Sequence, residues 1–249
     1  MKNSIPPEER LEIKKKTHRS LMYITIASMS MIFLGLASGY YIARSNPTWV
    51  SITVPPAFYT SSIILIISSI TFIIALQLAK KGNFKLLPVL MLLTLLLGGF
   101  FVKYQLEGWK YMTSKGMFLS DANKLQGLIE NPDVKYGDDY TLNMIVEGSP
   151  VELKMVDGKF YDVRDEYNSN PLLPNLDADN VASSWMYILS GLHLVHLLGG
   201  IISLIVVTIK SLLKKYNEND IVGIQVSSIY WHFLDILWLS LLGLLIYIG

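Results

Sequence analysis

Apolar residues gather in five long runs, at about 21–43, 57–79, 86–106, 183–209 and 224–248. Each run has about the length an α-helix needs to cross roughly 30 Å of hydrocarbon, and about twice the length of a barrel strand. Backbone groups inside a bilayer must be satisfied within the segment or by a closed barrel, and five is an odd count for a barrel. The pattern therefore predicts five membrane-spanning helices. Pro47, Pro55 and Pro56 punctuate residues 44–56, which read as a short loop between the first two helices. The stretch 107–182 breaks the pattern. Within it, "TLNMIVEGSPVELKMVDGKFYDV" (141–163) alternates in places, and Asp157-Gly158 is the pair a two-residue hairpin turn favours. A β-hairpin is predicted there, followed by an irregular return to the membrane in "NSNPLLPNLDADN" (168–180).

The predicted organisation is an all-α polytopic membrane protein. A basic segment (1–20) precedes three helices (21–106), an extracytoplasmic insertion (107–182) and two further helices (183–249). Composition agrees: 51% of residues are hydrophobic, mean hydropathy is +0.40 and 16% are charged, against about 25% charged in soluble domains. The first run is too long for a signal-peptide core and lacks a convincing cleavage site, so it is expected to remain. Basic residues flank alternate ends of the runs: Lys14, Lys15, Lys16 and Arg19; Lys80, Lys81 and Lys85; Lys210, Lys214 and Lys215. If all five runs cross, these flanks share one side, which predicts a cytoplasmic N-terminus and an outer C-terminus. The insertion then lies outside, with 14 Asp or Glu against 7 Lys or Arg, a net −7.

Charge and cysteine narrow the chemistry. A net charge of +1 without a long basic tract gives no footprint for nucleic acid. With no cysteine, the chain has no disulfide, thiolate metal site, iron–sulfur cluster or covalently attached haem. No internal repeat of the kind that builds many transporters is visible. Glycines at 35 and 39, 98 and 99, and 199 and 200 predict close helix packing.

Polar residues inside the runs carry the remaining information. Asp235 is the only acid within any run, and His232 precedes it by three residues on the same face. His193 and His196 are likewise three apart in the fourth run. At about 1.5 Å per residue, His196 lies about 20 Å from the Lys210 end and Asp235 about 16 Å from the Ile224 end, so the levels are similar. A network of His193, His196, His232 and Asp235 is geometrically possible. Three readings stand: a self-satisfied pin between two helices, a site for a lipid head group or a proton, or a metal site. The last fits least, because carboxylate-bridged di-metal bundles carry several Glu in their helices.

"GLHLVHLLGG" (191–200) followed by "YWHFLDILW" (230–238) resembles subunit III of haem–copper oxidases. That family carries G-x-H-x-x-H in its penultimate helix and Y-W-H-F-V-D-x-x-W in its last; Leu234 replaces the usual Val. "LGGFFVKYQ" (97–105), "SSITFIIALQLAKKGN" (68–83) and "YYIAR" (40–44) resemble further stretches. The resemblance spans all five runs and implies the five-helix bacterial form, while about 112–181 has no counterpart in a typical member. Four departures stand out. Met29 in "ASMSMIF" replaces a buried Glu, Lys210 a frequent Arg and Gln225 a frequent Glu. Gly108 takes the place of a Glu three residues after Gln105, with Glu107 beside it and Trp109 matching the aromatic that follows.

The resemblance implies an accessory, non-catalytic subunit of a respiratory oxidoreductase in aerobic electron transport, multi-pass in the bacterial cytoplasmic membrane. Haem and copper belong to partner subunits: the catalytic subunit I needs six His, and the copper-binding subunit II needs two Cys, against four His and no Cys here. The implied role is to pack on subunit I, hold phospholipid in a cleft and steady turnover during oxygen reduction and proton pumping. His193, His196, Trp231, His232 and Asp235 would shape the buried polar network or lipid cleft, and Lys210 and Arg44 would meet lipid phosphates. The acidic insertion is expected to meet cytochrome c or another respiratory complex in a supercomplex. Alternatives are an accessory subunit of a quinol oxidase, with its own type of subunit II, or of a nitric oxide reductase, and a small transporter or sensor.

Overall fold

A computed structural model describes residues 6–119, 125–146, 149–174, 181–217 and 220–248. Five long helices follow the five apolar runs: α1 (Pro7–Ala43), α2 (Pro56–Lys80), α3 (Leu87–Ser114), α5 (Val181–Leu212) and α6 (Val222–Ile248). All five are long and apolar enough to cross a membrane, and the chain is an all-α polytopic membrane protein in its spanning part. A short helix α4 (Leu125–Glu130) and strands β1 (Thr48–Ile52), β2 (Tyr140–Val146), β3 (Ser149–Val156) and β4 (Lys159–Asp162) complete the described elements.

Local chemistry sets the helix ends. Prolines occupy the first turns of α1, α2 and α3, where the missing N–H costs no intrahelical bond. α2 closes on Gly82 at φ 73°, with the Asn83 amide donating to Leu78 O at 3.0 Å. α3 closes on Gly116 at φ 73°, with the Met117 amide donating to Met112 O at 3.0 Å. Both are left-handed caps that satisfy the last carbonyls. α5 ends in the same way, but with Lys214 at φ 51° in the glycine position.

The described chain divides into two compact units. One comprises the residues up to Leu34, Tyr59–Tyr104 and Leu192–Ser240. Its interior holds Phe33, Leu65, Phe72, Phe101, Trp231 and Trp238, all nearly inaccessible. Ile24, Met31, Ile63, Val89, Ile202 and Ile236 are each more than half exposed, the arrangement that contact with lipid tails requires.

The other unit comprises Gly35–Phe58, Gln105–Gly191 and the residues from Leu241. It carries a four-stranded antiparallel sheet in the order β1-β2-β3-β4. Thr48 pairs with Met144 and Ile52 with Tyr140, while Val156 pairs with Lys159 across the turn. That turn is Asp157-Gly158, both at positive φ (50° and 73°), as a two-residue hairpin loop demands. Asp139 ties the sheet to α3. Its Oδ2 accepts from Lys115 Nζ at 3.0 Å and the Lys135 amide at 2.9 Å, and its Oδ1 from the Tyr111 hydroxyl at 3.0 Å. Burial raises the Asp139 pKa, but these donors and the Lys115 charge hold it below the usual carboxylate range.

Three expectations change. Residues 44–56 are not only a loop, because 48–52 form β1, whose partner lies about ninety residues on. The predicted hairpin is real but is half of a larger sheet. The helices also outrun the apolar runs, so α1 takes in most of the basic segment and α3 the start of the insertion. The irregular return is seen as far as Pro174, and its remainder lies outside the described residues.

Candidate functional site: the buried core of α5 and α6

Trp231 is the centre of this site. It is fully buried between two glycines. A Cβ at Gly98 of α3 would stand 2.8 Å from its Cη2, and a Cβ at Gly200 of α5 would stand 3.2 Å from its Cε3. These glycines seat an indole, in place of the backbone-to-backbone approach that small-residue spacing suggests. Gly35 and Gly99 face open space, and Gly39 meets Trp185. Tyr230 beside it donates its hydroxyl to His196 O at 3.0 Å, which adds a polar link between α5 and α6.

The four polar residues divide into two sets. His193 is fully buried and lies against Phe101 (ring centroids 5.9 Å apart) and Trp238 (5.2 Å). Neither of its nitrogens has a hydrogen-bond partner among the described residues. His196 uses Nδ1 on the Leu192 carbonyl of its own helix at 2.8 Å and packs edge-on to Phe33. His232 shares a 2.6 Å hydrogen bond between Nδ1 and Ser69 Oγ of α2. Asp235 Oδ2 lies 3.8 Å from the same nitrogen, an ion-pair distance that carries charge only when the imidazole is protonated. The Asp235 side chain is 6% exposed, and neither oxygen takes a hydrogen bond from a described residue.

The polar set is thus Ser69, His232 and Asp235 across α2 and α6, with His193 and His196 outside it. The i,i+3 spacing gives the shared face of each helix, but ring rotation decides the partners. Ser69 sits in the stretch read for family resemblance without a site role, and nothing in its spacing marks it. Trp238 donates from Nε1 to Ser62 Oγ at 2.8 Å, a second α6–α2 bond. Among the described residues no group of three His, Cys, Asp or Glu could hold a metal ion.

Of the other two site residues, Lys210 is exposed in the last turn of α5. Arg44 is exposed just past α1 and lines a cavity of about 410 Å³ with Trp49 and Glu152. At Gly108 a Cβ would stand 2.3 Å from the buried Phe58 ring, so a bulkier residue has no room there.

Five helices long and apolar enough to cross a membrane, with buried aromatic rings and a polar trio in one unit, define a multi-pass membrane protein. Comparison with known proteins is specific. The family model "Cytochrome c oxidase subunit III" matches residues 165–249, which span the return segment, α5 and α6. A probable cytochrome c oxidase subunit 3 of Nocardia farcinica is 23% identical over 90% of this chain and 85% of its own length. A Drosophila yakuba cytochrome c oxidase subunit 3 is 38% identical over 26% of this chain and 24% of its own length. A Mycobacterium bovis relative, a probable subunit 3, is 28% identical over 36% of this chain and 43% of its own length. With the paired motifs on α5 and α6, these matches make the chain similar to cytochrome c oxidase subunit III over residues 165–249, and similar to a probable bacterial subunit 3 over most of its length.

Proposed function

We propose that this chain is the accessory subunit III of a haem–copper terminal oxidase of the cytochrome c oxidase type. It packs on catalytic subunit I beside a copper-binding subunit II, and it holds phospholipid that steadies the complex during oxygen reduction and proton pumping. Haem and copper reside in those partners. The N-terminus is cytoplasmic, the C-terminus periplasmic and the membrane the bacterial inner membrane, as the three basic flanks indicate.

The observation that carries this reading is where the family motifs sit. Trp231, Leu234 and Trp238 are fully buried, His193 is fully buried, and Asp235 is 4% exposed. The motif builds the inside of a helix pair, as a scaffold subunit requires. The exposed apolar faces of the helices supply surface for lipid and for a neighbouring membrane chain.

The acidic insertion is proposed to meet a basic donor such as cytochrome c, or a second respiratory complex, by electrostatic attraction. Deleting residues 115–178 should then leave the complex assembled while weakening salt-dependent donor kinetics; unchanged kinetics reject the contact.

The test of the main proposal is co-purification. The chain is tagged, extracted gently, and a reduced-minus-oxidised spectrum recorded. Haem absorbance should follow the tag and leave with the partner chains when the complex is split. A stable product without haem at any stage rejects the proposal.

A further inference from the structure

The turn between α2 and α3 and the segment that follows α5 enclose a cavity of about 480 Å³, within the size range of small-molecule sites. Each segment contributes one cation, Lys85 and Lys214, and no carboxylate lines the cavity. Neither ammonium group makes an ion pair or hydrogen bond with a described residue. Two cations without a partner among the described residues line one cavity, and an anion bound there lowers their mutual repulsion.

The rest of the lining offers donors. Ser211 is 4% exposed, yet its hydroxyl has no hydrogen-bond partner among the described residues, and the Tyr216 hydroxyl likewise has none. Burial, with the Asp220 charge adding to it, pushes the Tyr216 pKa up to about 12, so that group stays a donor. Leu87 and Pro88, the first residues of the 28-residue α3, also line the cavity, so the positive end of a long helix faces it. Phe84 and Leu212 close the wall with apolar surface.

Lys214 adds an independent sign. It occupies the left-handed cap of α5 at φ 51°, held by its own amide on Ser211 O and by the Lys215 amide on Lys210 O, both at 3.0 Å. Glycine takes that conformation without strain, and a lysine does not. A strained backbone at a cavity mouth points to a role for the side chain it carries.

We propose that this cavity binds a phosphate group, held by Lys85, Lys214 and the first turn of α3. The site lies at the ends of three candidate spans, so the phosphate reaches it either on an anionic phospholipid or on a soluble compound from the adjacent aqueous phase. The proposal stands apart from the α5–α6 core and does not rest on the oxidase assignment.

The test uses the full chain, extracted with whatever subunits accompany it, as wild type, Lys85→Gln, Lys85→Gln with Lys214→Gly, and Lys81→Gln. Lys81 is exposed and does not line the cavity, so it controls for surface charge. Glycine at 214 suits the backbone, so a loss of binding there is not a loss of fold. Two probes are used: phosphatidylcholine vesicles with and without phosphatidylglycerol, and radiolabelled inorganic phosphate. Preference for phosphatidylglycerol should fall by about tenfold or more in the double variant, less in the single one, and not in Lys81→Gln. Saturable phosphate binding lost in the double variant, with lipid preference unchanged, identifies the soluble source instead. Equal binding of both probes by wild type and double variant overturns the proposal, as does an equal loss in Lys81→Gln.

Discussion

Adjacent glycines on α3 should respond to alanine with opposite signs. At Gly98 the new methyl would stand 2.8 Å from Trp231 Cη2 and 3.3 Å from Cζ2, whereas at Gly99 it meets nothing within 4 Å. Carbon atoms settle at about 3.5–4.0 Å, and Trp231 has no exposed surface through which to retreat. In a helix interior alanine is favoured over glycine by about 0.8–1.0 kcal/mol. Overpacking a full core costs about 1–3 kcal/mol. Gly99→Ala should therefore stabilise by up to about 1 kcal/mol, and Gly98→Ala should destabilise by about 1 kcal/mol once propensity is subtracted. For a chain of this size that is a fall in Tm of about 2–4 °C. Melting of the extracted protein, followed by tryptophan fluorescence, reads both.

A double-mutant cycle makes the test specific. Trp231→Phe removes the part of the ring that overlaps the new methyl, so Gly98→Ala should cost less in that background. The coupling should be about 0.5–3 kcal/mol. Additive effects, or equal shifts for the two glycine variants, would refute a core in which Trp231 is gripped between α3 and α5.

Three further outcomes follow from single contacts. Ser62→Ala leaves the Trp238 indole N–H without its 2.8 Å acceptor in a buried site and should cost about 1–3 kcal/mol, read as a lower Tm. Ser69→Ala removes the hydroxyl at 2.6 Å from His232 Nδ1; a cost of similar size is expected, while Ser69→Thr, which keeps a hydroxyl, should recover part of it. Asp139 is held below the usual carboxylate range, so its contribution is complete above that range and fades as pH falls through the lowered value. Protease resistance of the sheet should weaken at acid pH, and Asp139→Asn should flatten that dependence.

The spanning helices were legible because bilayer thickness imposes a length on apolar runs, and all five runs are helical. The start of α1 was not, since "EERLEIKKKTHRS" (8–20) gives no apolar run, although Glu, Lys and Arg favour helix. Asp157-Gly158 announced its turn because few residues accept two successive positive φ values. β1 left only a weak mark: Thr48, Trp49, Val50 and Ile52 suit a strand, but the strand forms only when β2 arrives from far along the chain. At the site, spacing gave the faces that His193, His196, His232 and Asp235 share. It could not give side-chain rotation, which sends His193 among aromatic rings and His232 to Ser69.

The departures from the family pattern gain physical content once their surroundings are known. Met29, where the family carries a buried Glu, is 5% exposed, so the position stays internal while losing its charge. At Gly108 the space of a second Glu is filled by Phe58, and restoring the carboxylate alone would drive its Cβ into a buried ring. Gln225, in place of a third, accepts from the exposed Arg19 guanidinium at 2.8 Å through its amide oxygen. Met29 and Gly108 leave packing at their positions and Gln225 a hydrogen bond from a charged guanidinium, while Glu107 stays beside Gly108 in α3. Asp235 remains the acid within the apolar runs, beside His232 and against a serine. Buried carboxylates are costly in a bilayer, so Asp235 is expected to contribute where apolar packing is not enough. That place is the α2–α6 contact, where Ser69 and Ser62 both bond to α6. Loss of α2–α6 cohesion on Asp235→Leu, measured as a disulfide trapped less readily between cysteines introduced at those two helices, is the outcome this reasoning requires; unchanged trapping refutes it.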